Sequence, residues 1–219
     1  MTVPGNPAVK RVLLVDDHPI VRQGLARIIA NEPGLEVCGE AETVRGARRA
    51  VRSRVPDVVV VDLSLKEGDG IELVKELRAH YPALPLLVLS MHDEAVYAGR
   101  LLAAGANGYI MKHAASEQFI AALRSVLGGA TYLSEAGRAA LGRPAGQAGS
   151  GGSAVGSLSN RELQILQMVG RGLSSRQAAE ALNLSVKTVE AHRLRIKRKL
   201  KLRTGAQLVQ FAANWVAGQ

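Results

Sequence analysis

Five polar side chains in the first half of the sequence each stand at the end of a short apolar run. Two aspartates follow VLLV, one follows VVVV, a serine ends LPLLVLS and a lysine follows GYIM; they are Asp16, Asp17, Asp62, Ser90 and Lys112. Carboxylates held close together resist ionising at the same time, and a divalent cation relieves their repulsion. Because carboxylate oxygens completed by water suit Mg²⁺, the three aspartates are candidate magnesium ligands.

The same residues predict the uptake of a phosphoryl group by a carboxylate. Asp62 could attack phosphorus in line, while magnesium and the Lys112 ammonium offset the charge of the moving group. The Ser90 hydroxyl could donate a hydrogen bond to a phosphoryl oxygen. A phosphorylated carboxylate gains about one to two negative charges, enough to draw nearby donors into new contacts.

A second chemical signal is the concentration of positive charge near the end of the sequence. Residues 155–219 hold eleven Lys or Arg and three Asp or Glu, which supplies +8 of the formal net charge of +9. Such a segment favours a polyanionic partner. Its scarcity of aromatic residues favours double-stranded over single-stranded nucleic acid, because single strands bind on stacking platforms.

Within this segment, residues 186–200 read VKTVEAHRLRIKRKL and have the pattern of an amphipathic helix. One stripe should face a core; its members are Val186, Val189, Ile196 and Leu200. The first turns of such a helix can meet base edges in the major groove, and the later basic residues can meet phosphates. The predicted DNA-contacting residues are Lys187, Thr188, Glu190, Ala191, Arg193, Leu194, Arg195, Lys197, Arg198 and Lys199.

The elements that must position the acidic residues can be predicted from residues 9–128. Five apolar runs alternate with five helical patterns, and runs such as VVVV and LPLLVL are continuously apolar, which indicates a parallel sheet covered on both faces. We therefore predict an α/β domain with a five-stranded doubly wound sheet, whose strands' carboxyl ends gather the polar residues at one edge. The predicted strands are residues 12–15, 36–41, 58–61, 84–89 and 108–111, and the predicted helices are 19–31, 43–54, 70–80, 94–104 and 116–127.

The composition changes after this domain. Residues 142–156 read GRPAGQAGSGGSAVG, which has too few large apolar side chains to pack and predicts a flexible linker. Capping boxes at 159–162 and 174–177 open two short helices, and a tight turn at 183–185 leads into the longer helix at 186–199. This order predicts a helix-turn-helix within a small all-α four-helix domain, whose last helix spans 204–216. We assign the linker to residues 129–155 and the helical domain to 156–219.

The motifs VLLVDDH, VVVVDLS, LLVLSMH and GYIMKHA resemble those of response-regulator receiver domains over residues 9–128. The resemblance implies that Asp62 is the phosphoacceptor and that a sensor histidine kinase phosphorylates it. It implies magnesium ligation by Asp16, Asp17, Asp62 and the Ser64 carbonyl, and a switch pair formed by Ser90 and Tyr109. The sequence departs from the family pattern at Lys66, where proline is common, and at Ser90, where threonine is commoner. The first departure predicts a more mobile loop, with turns at Gly68 and Gly70.

Residues 156–217 resemble the LuxR-type helix-turn-helix of the NarL/FixJ family, through the run LSNRELQILQMVGRGLSSRQAAEALNLSVKTVEAHRLRIKRKL. The resemblance implies a transcription factor that binds double-stranded DNA, with Glu190, Ala191 and Leu194 at base-facing positions. We further expect a homodimer when the chain is phosphorylated or DNA-bound, working with the transcription machinery. Candidate dimer residues on the last helix are Leu208, Phe211, Ala212 and Trp215, although this stripe could instead pack within its own domain.

Three other functions remain open at the level of sequence. A magnesium-dependent phosphohydrolase would need an acid/base carboxylate two residues after the nucleophile, where Ser64 stands, so we expect no turnover of a separate substrate. A constitutive DNA-binding protein would use its first domain only as a dimerisation scaffold. A ligand-sensing regulator is less favoured, because few aromatic residues are available to line a pocket.

The sequence also predicts the setting in which the protein works. No apolar run approaches the length of a membrane span, and the first residues lack the apolar core of a secretory signal. The lone Cys38 cannot form an internal disulfide, which fits a reducing cytoplasm. The histidines show no metal-ligand spacing, so we interpret all five as surface or packing residues; they are His18, His80, His92, His113 and His192.

Overall fold

The computed structural model describes residues 9–65, 68–92, 94–141, 155–182 and 184–217. The chain divides into two compact units, of which one ends at Leu141 and the other begins at Gly142. The first unit contains a sheet with helices and the second is helical. The fold class predicted for each half of the chain is therefore confirmed.

The first unit is built on five strands that pair only in parallel, in the order β2-β1-β3-β4-β5. The strands are β1 (Lys10–Val15), β2 (Leu35–Ala41), β3 (Val58–Asp62), β4 (Leu86–Ser90) and β5 (Gly108–Met111). The helices that alternate with them are α1 (Pro19–Ala30), α2 (Val44–Arg54), α3 (Gly70–His80), α4 (Glu94–Ala104) and α5 (Ser116–Leu127). This order brings the carboxyl ends of β1, β3, β4 and β5 side by side, as the sequence predicted.

The continuously apolar strands are buried because side chains on both faces of the sheet are covered. The last four residues of β1 and every residue of β3 and β4 are buried, although neighbours along a strand point to opposite faces. On one face, Val12 and Leu14 of β1 pack with Ile29 of α1 and with Phe119 and Leu123 of α5. The central strands are thereby held firmly under the polar residues at their ends.

The first unit continues beyond α5 for longer than the sequence predicted. The backbone N–H of Tyr109 donates to the Tyr132 carbonyl at 2.9 Å, and the N–H of Tyr132 donates to the Asn107 carbonyl at 3.0 Å. Helix α6 (Glu135–Leu141) then packs against α4. The chain that follows α5 therefore lies along the edge of β5 and belongs to the α/β unit.

A buried carboxylate fixes the start of α6. Glu94 of α4 is 5% exposed and accepts a hydrogen bond from the Ser134 N–H at 2.8 Å. The predicted linker start at residue 129 is thereby corrected, because these contacts carry the first unit to Leu141. The rest of the predicted linker, residues 142–154, lies outside the described residues.

The second unit contains α7 (Asn160–Gly170), α8 (Ser175–Ala181), α9 (Val186–Lys199) and α10 (Gly205–Ala217). Both predicted capping boxes are present, with Ser159 paired to Glu162 and Ser174 paired to Gln177. In the helix-turn-helix, Asn183 lies outside the described residues. The Ser185 hydroxyl caps α9 by accepting from the Thr188 N–H at 3.0 Å.

The core of the second unit follows the predicted stripes with one exception. Val189, Ile196 and Leu200 of α9 are buried, but Val186 is 46% exposed. Val186 is the first residue of α9 and lies one turn outside the packed part of the helix. Its assignment to the core stripe was therefore wrong.

Helices α7 and α10 approach each other closely at Gly170. A Cβ atom at this position would lie 2.4 Å from the Ala212 carbonyl oxygen and 2.6 Å from Val216 Cγ2. Only the hydrogen of a glycine fits this approach. None of the helices in the described parts of the chain has the length and apolar character needed to span a bilayer.

Candidate functional site

The three predicted acidic residues meet at the carboxyl edge of the sheet. Asp16 and Asp17 follow β1, Asp62 ends β3, and all three are at most 6% exposed. One ligand atom from each of these carboxylates and from the His18 ring lies within 4.8 Å of the others, a grouping that could hold a metal ion. The oxygens suit Mg²⁺, so the chemistry of these carboxylates fits the predicted cation.

Lys112 enters this cluster from the end of β5. Its Nζ lies 2.7 Å from Asp16 Oδ2 and 2.8 Å from Asp62 Oδ2, and its side chain is 7% exposed. The contact to Asp62 is a hydrogen bond, whereas Asp16 Oδ2 is close to the ammonium without a well-directed bond. The ends of β1 and β3 therefore both place a carboxylate beside the Lys112 ammonium, as predicted.

Asp62 lies where its ionisation is opposed by burial. Burial raises the pKa of Asp62 above its ordinary value of 3.8, and Asp16 adds to this effect, while Lys112 and the Ser64 N–H oppose it. The Ser64 N–H donates to Asp62 Oδ1 at 3.1 Å. The carboxylate therefore depends on neighbouring positive charge for its reactive form. Ligation of a metal by the Ser64 carbonyl stays a prediction.

His18 joins the acidic residues, which the sequence interpretation missed. Its Nδ1 lies 3.1 Å from Asp16 Oδ1, 2.8 Å from Asp17 Oδ1 and 4.0 Å from Asp62 Oδ2. His18 is the N-cap residue of α1, and its extended backbone brings the ring over the end of β1. His18 is a surface residue, as interpreted, with a side chain 54% exposed; its position directly after two aspartates was the available signal for its place in this cluster.

Arg22 holds the first aspartate in place from α1. Its Nη1 donates to the Asp16 carbonyl at 2.6 Å, and the guanidinium also pairs with Glu40 at 3.0 Å and Glu42 at 2.6 Å. Arg22 is buried, so this network connects α1 with the end of β2 beneath the acidic cluster. The sequence alone did not indicate this role, because it depends on strand pairing.

The two predicted switch residues are both fully buried at the ends of β4 and β5. The Ser90 hydroxyl accepts from the His92 N–H at 3.0 Å, and the Tyr109 hydroxyl donates to the His92 carbonyl. The His92 ring in turn shares a hydrogen bond with the Ser64 hydroxyl at 3.0 Å and stacks on Tyr97. His92 therefore links the loop after Asp62 with the predicted switch pair.

Two glycines that follow β3 occupy positions that favour glycine. Gly68 has a φ of +106°, and a Cβ at Gly70 would lie 2.4 Å from the Asp62 carbonyl oxygen. The turn expected at Gly68 is present, whereas Gly70 serves to bring α3 against β3. Lys66, the predicted departure from the family pattern, lies outside the described residues.

The outer side of α9 presents most of the predicted DNA-contacting residues to solvent. Thr188, Arg193 and Lys197 are half-buried. The exposed members of the set are Lys187, Glu190, Ala191, Leu194, Arg195, Arg198 and Lys199. Leu194 is 53% exposed on an otherwise charged surface, which is unfavourable in water and favours an apolar contact with a partner.

Several of these residues also have partners inside their own unit. Lys199 Nζ lies 2.7 Å from Glu162 Oε2 and thereby ties α9 to the start of α7. The Ser175 hydroxyl bonds both Glu190 and Arg193. These contacts orient the basic helix on its neighbours, a role that the amphipathic pattern did not reveal.

The predicted dimer residues on α10 divide into two groups. Leu208 and Ala212 are fully buried within their own unit, whereas Phe211 and Trp215 are half-buried. The assignment of Leu208 and Ala212 to a dimer surface is corrected, because both pack inward where α10 lies against α7. The helical stripe predicted from sequence is the stripe that α10 uses for its own core.

Comparison with known proteins identifies both units. Residues 12–124 match the family model described as response regulator receiver domain. Residues 156–212 match the model described as bacterial regulatory proteins, luxR family. The two matched segments correspond to the α/β unit and the helical unit described above.

Relatives of similar length share both units with this chain. The oxygen regulatory protein NreC of Staphylococcus carnosus is 35% identical over 208 residues, covering 92% of this chain and 96% of the relative. The response regulator UvrY of Escherichia coli K12 is 35% identical over 203 residues, covering 92% of each.

A solved structure shows a similar fold across both units. RcsB of Salmonella enterica serovar Typhimurium, bound to promoter P1flhDC with the phosphomimetic BeF3-, matches with a TM-score of 0.62 and 26% identity. The match covers 94% of this chain and 99% of RcsB. The chain thus belongs to the NarL/FixJ family of two-component response regulators, with a receiver domain followed by a LuxR-type helix-turn-helix domain.

Proposed function

We propose that a sensor histidine kinase phosphorylates Asp62 and that this modification controls the binding of duplex DNA by the helical unit. The observation that carries the proposal is the position of Lys112 Nζ, within 2.8 Å of buried oxygens of both Asp16 and Asp62. A buried carboxylate beside a fixed ammonium and two further carboxylates is suited to phosphoryl transfer.

Asp16, Asp17 and Asp62 would hold Mg²⁺, with the Ser64 carbonyl as a further ligand. The bound cation would offset negative charge on the phosphoryl group and on the clustered carboxylates. His18 offers a ring nitrogen, which Mg²⁺ takes less readily than oxygen. We therefore assign His18 the role of a hydrogen-bond partner to Asp16 that also lies close to Asp17.

The reaction itself is an in-line displacement at phosphorus. An Asp62 carboxylate oxygen forms a bond to phosphorus while the bond between phosphorus and the kinase histidine nitrogen breaks, and the imidazole takes the bonding electron pair. Lys112 keeps Asp62 ionised and then contacts the new phosphoryl group. The Ser90 hydroxyl would turn from the His92 N–H to donate to a phosphoryl oxygen.

DNA contact would use the exposed side of α9. Lys187, Arg195 and Arg198 carry positive charge at positions that can reach base edges or phosphates, and Glu190 could accept from a cytosine amino group. Ala191 and Leu194 are suited to the methyl group of thymine. RcsB, a relative in fold and sequence, has been solved on promoter DNA, which supports this proposal.

The phosphorylated chain would act on transcription as a homodimer. Two copies that pair through the receiver surface near β4 and β5 would place two helical units on two half-sites and gain avidity. The bound dimer would then meet the transcription machinery. Because its proposed ligand is chromosomal DNA, the protein would work in the bacterial cytoplasm.

The test of the phosphoacceptor is intact-mass measurement after treatment with acetyl phosphate and Mg²⁺. The unchanged chain should gain one phosphoryl group, and the Asp62→Asn variant should gain none. Asp57→Asn is the matched control, since Asp57 lies just before the opposite end of β3 and should leave modification unchanged. Equal labelling of the unchanged chain and Asp62→Asn would place the modification elsewhere.

A further inference from the structure

We propose that an arginine-rich face of α2 binds the phosphate backbone of DNA next to the site held by the helical unit. We call Arg45, Arg48, Arg49 and Arg52 the α2 arginine face. The proposal rests on the proposed function, because it requires the helical unit to hold the chain on a duplex. The added contact would raise affinity without reading base sequence.

The four arginines share one side of the helix. Their spacing of three and four residues aligns them along α2, and all four are exposed, while Ala47 and Val51 on the other side are buried. The stripe from the first to the last arginine is about 10 Å long at the rise of an α-helix. Together with Ser53 they line an open depression of about 750 Å³.

The positive charge of this face is mostly uncompensated. Arg48 Nη2 pairs with Glu76 Oε2 at 2.5 Å. For the other three arginines, no carboxylate of the described residues lies within ion-pair distance, and α2 itself contains no acidic residue. Arg22 and Arg124 of the same unit, in contrast, are each paired with glutamate.

The charges oppose the stability of the helix that carries them. Arginines three and four residues apart repel one another, and Arg45 lies in the first turn, where the helix dipole disfavours a cation. The packing of Ala47 and Val51 does not require them. A polyanion placed along the stripe would turn this repulsion into attraction.

The chemistry of the depression favours DNA over an acidic protein. Guanidinium groups match phosphate with two parallel hydrogen bonds, and about 10 Å of duplex carries about six charges. The depression is lined by arginines and one serine, without the apolar or aromatic anchor on which a protein interface depends. Because both units belong to one chain, bound DNA lies at a high effective concentration for the face, so weak contacts become effective.

The test compares two variants of the full chain that lose the same charge. Arg45→Gln/Arg49→Gln removes half of the face, and Arg27→Gln/Arg138→Gln removes two exposed arginines of the same unit that have no ion pair among the described residues. Binding to a 60-base-pair duplex of mixed sequence is followed by fluorescence anisotropy from 50 to 300 mM NaCl. For the face variant, the slope of log affinity against log salt concentration should be smaller in magnitude by about two. Its affinity at 100 mM NaCl should be about three- to tenfold weaker.

Three controls separate the face from general effects. Arg45→Lys/Arg49→Lys should keep the slope, and a 12-base-pair duplex, which offers few phosphates beyond the site held by the helical unit, should bind the unchanged chain and the face variant equally. The thermal midpoint of the face variant should be equal or higher, because repulsion along α2 is relieved, so weaker binding cannot come from unfolding.

The proposal is overturned by an unchanged slope on the 60-base-pair duplex, or by an equal loss in the Arg27/Arg138 variant. If the face variant loses only binding to polyglutamate, the surface serves an acidic protein and the DNA contact is wrong. If the unchanged chain binds neither duplex even with beryllofluoride and Mg²⁺ present, the proposed function fails together with the inference.

Discussion

At the scale of single residues, the acidic site is a balance between three carboxylates and two nearby nitrogen groups. Lys112 contacts Asp16 and Asp62, and His18 lies closest to Asp17 at 2.8 Å. Burial raises the pKa of Asp62, so added positive charge favours its ionised form. Each aspartate therefore contributes differently to the site although all three are buried together.

Asp17→Asn should weaken Mg²⁺ binding by about tenfold or more, because it removes a negatively charged ligand from the proposed metal site. Isothermal titration calorimetry of the full chain with Mg²⁺ measures this. Asp57→Asn should bind Mg²⁺ as the unchanged chain does, since Asp57 lies before β3 and its carboxylate accepts from the Arg11 N–H at 2.8 Å. Equal affinities for all three proteins would remove Asp17 from the site.

His192 should make the helical unit less stable as the pH falls below about 6.5. Burial lowers the pKa of His192 below its ordinary value of 6.5, and nearby Arg195 adds to this. The folded unit thus prefers the neutral ring, and the stability this supplies is present above pH 6.5 and lost as the pH falls through the lowered pKa. Denaturant unfolding followed by Trp215, the single tryptophan of the chain, should show a falling midpoint between pH 7.5 and 5.5.

His192→Gln should flatten that dependence, and His113→Gln in the receiver unit should leave it intact. Glu162 affects the stability of the helical unit in a separate, more acidic pH range. Although burial raises its pKa, the bonds from Lys199 and Ser159 outweigh this and lower the pKa below 4.5, so its contribution is lost only at more acidic pH. A pH profile that is identical in the His192 variant would contradict the assignment.

At the scale of elements, the helical unit depends on the close packing of α7 against α10 at Gly170. Gly170→Ala should destabilise this unit by about 1–3 kcal/mol, because the added Cβ would lie 2.4 Å from the Ala212 carbonyl oxygen and force the helices apart. Unfolding followed by Trp215 fluorescence measures the loss. Gly205→Ala, where nothing lies within 4 Å of the added atom, should be neutral or stabilising. Equal effects of the two substitutions would show that the contact is not limiting.

Most elements were predictable because their signals are local. Continuous apolar runs indicated β1, β3 and β4, and the two capping boxes marked the starts of α7 and α8. The same logic placed Asp62 and Lys112 at strand ends on one edge of the sheet. These features depend only on residues close in sequence and on the ordering rule of parallel sheets.

The features that were missed depend on contacts distant in sequence. Helix α6 is held by Glu94, forty residues before Ser134, and Arg22 meets the glutamates that follow it by about twenty residues. On α10, the pattern gave the apolar stripe correctly but could not say whether α7 or a second chain covers it. The pattern of an amphipathic helix predicts which face is buried, but it does not identify the element that covers that face.

At the scale of the whole molecule, phosphorylation has to change association rather than only local structure. Moving a population from almost fully off to almost fully on takes about 5.5 kcal/mol, which is demanding for one phosphoryl group. Dimer formation adds avidity for two half-sites, so a smaller free-energy change from the phosphoryl group is sufficient. Because Leu208 and Ala212 are buried in their own unit, they cannot supply the dimer surface.

Beryllofluoride with Mg²⁺ should therefore raise the mass of the full chain toward that of a dimer in sedimentation velocity. The same treatment should tighten binding to duplex DNA. Asp62→Asn should stay monomeric under both conditions, since beryllofluoride needs the carboxylate. An unchanged mass and an unchanged DNA affinity would together remove the dimer hypothesis.

The close approach at Gly70 has an evolutionary consequence. Any side chain there would reach the Asp62 carbonyl oxygen at 2.4 Å and Leu63 Cα at 2.7 Å, so the helix that follows Asp62 cannot move without a clash. At Gly24, by contrast, nothing lies within 4 Å of an added Cβ. A library that samples every amino acid at both positions should, after selection for signalling, keep only glycine at 70 and retain many residues at 24.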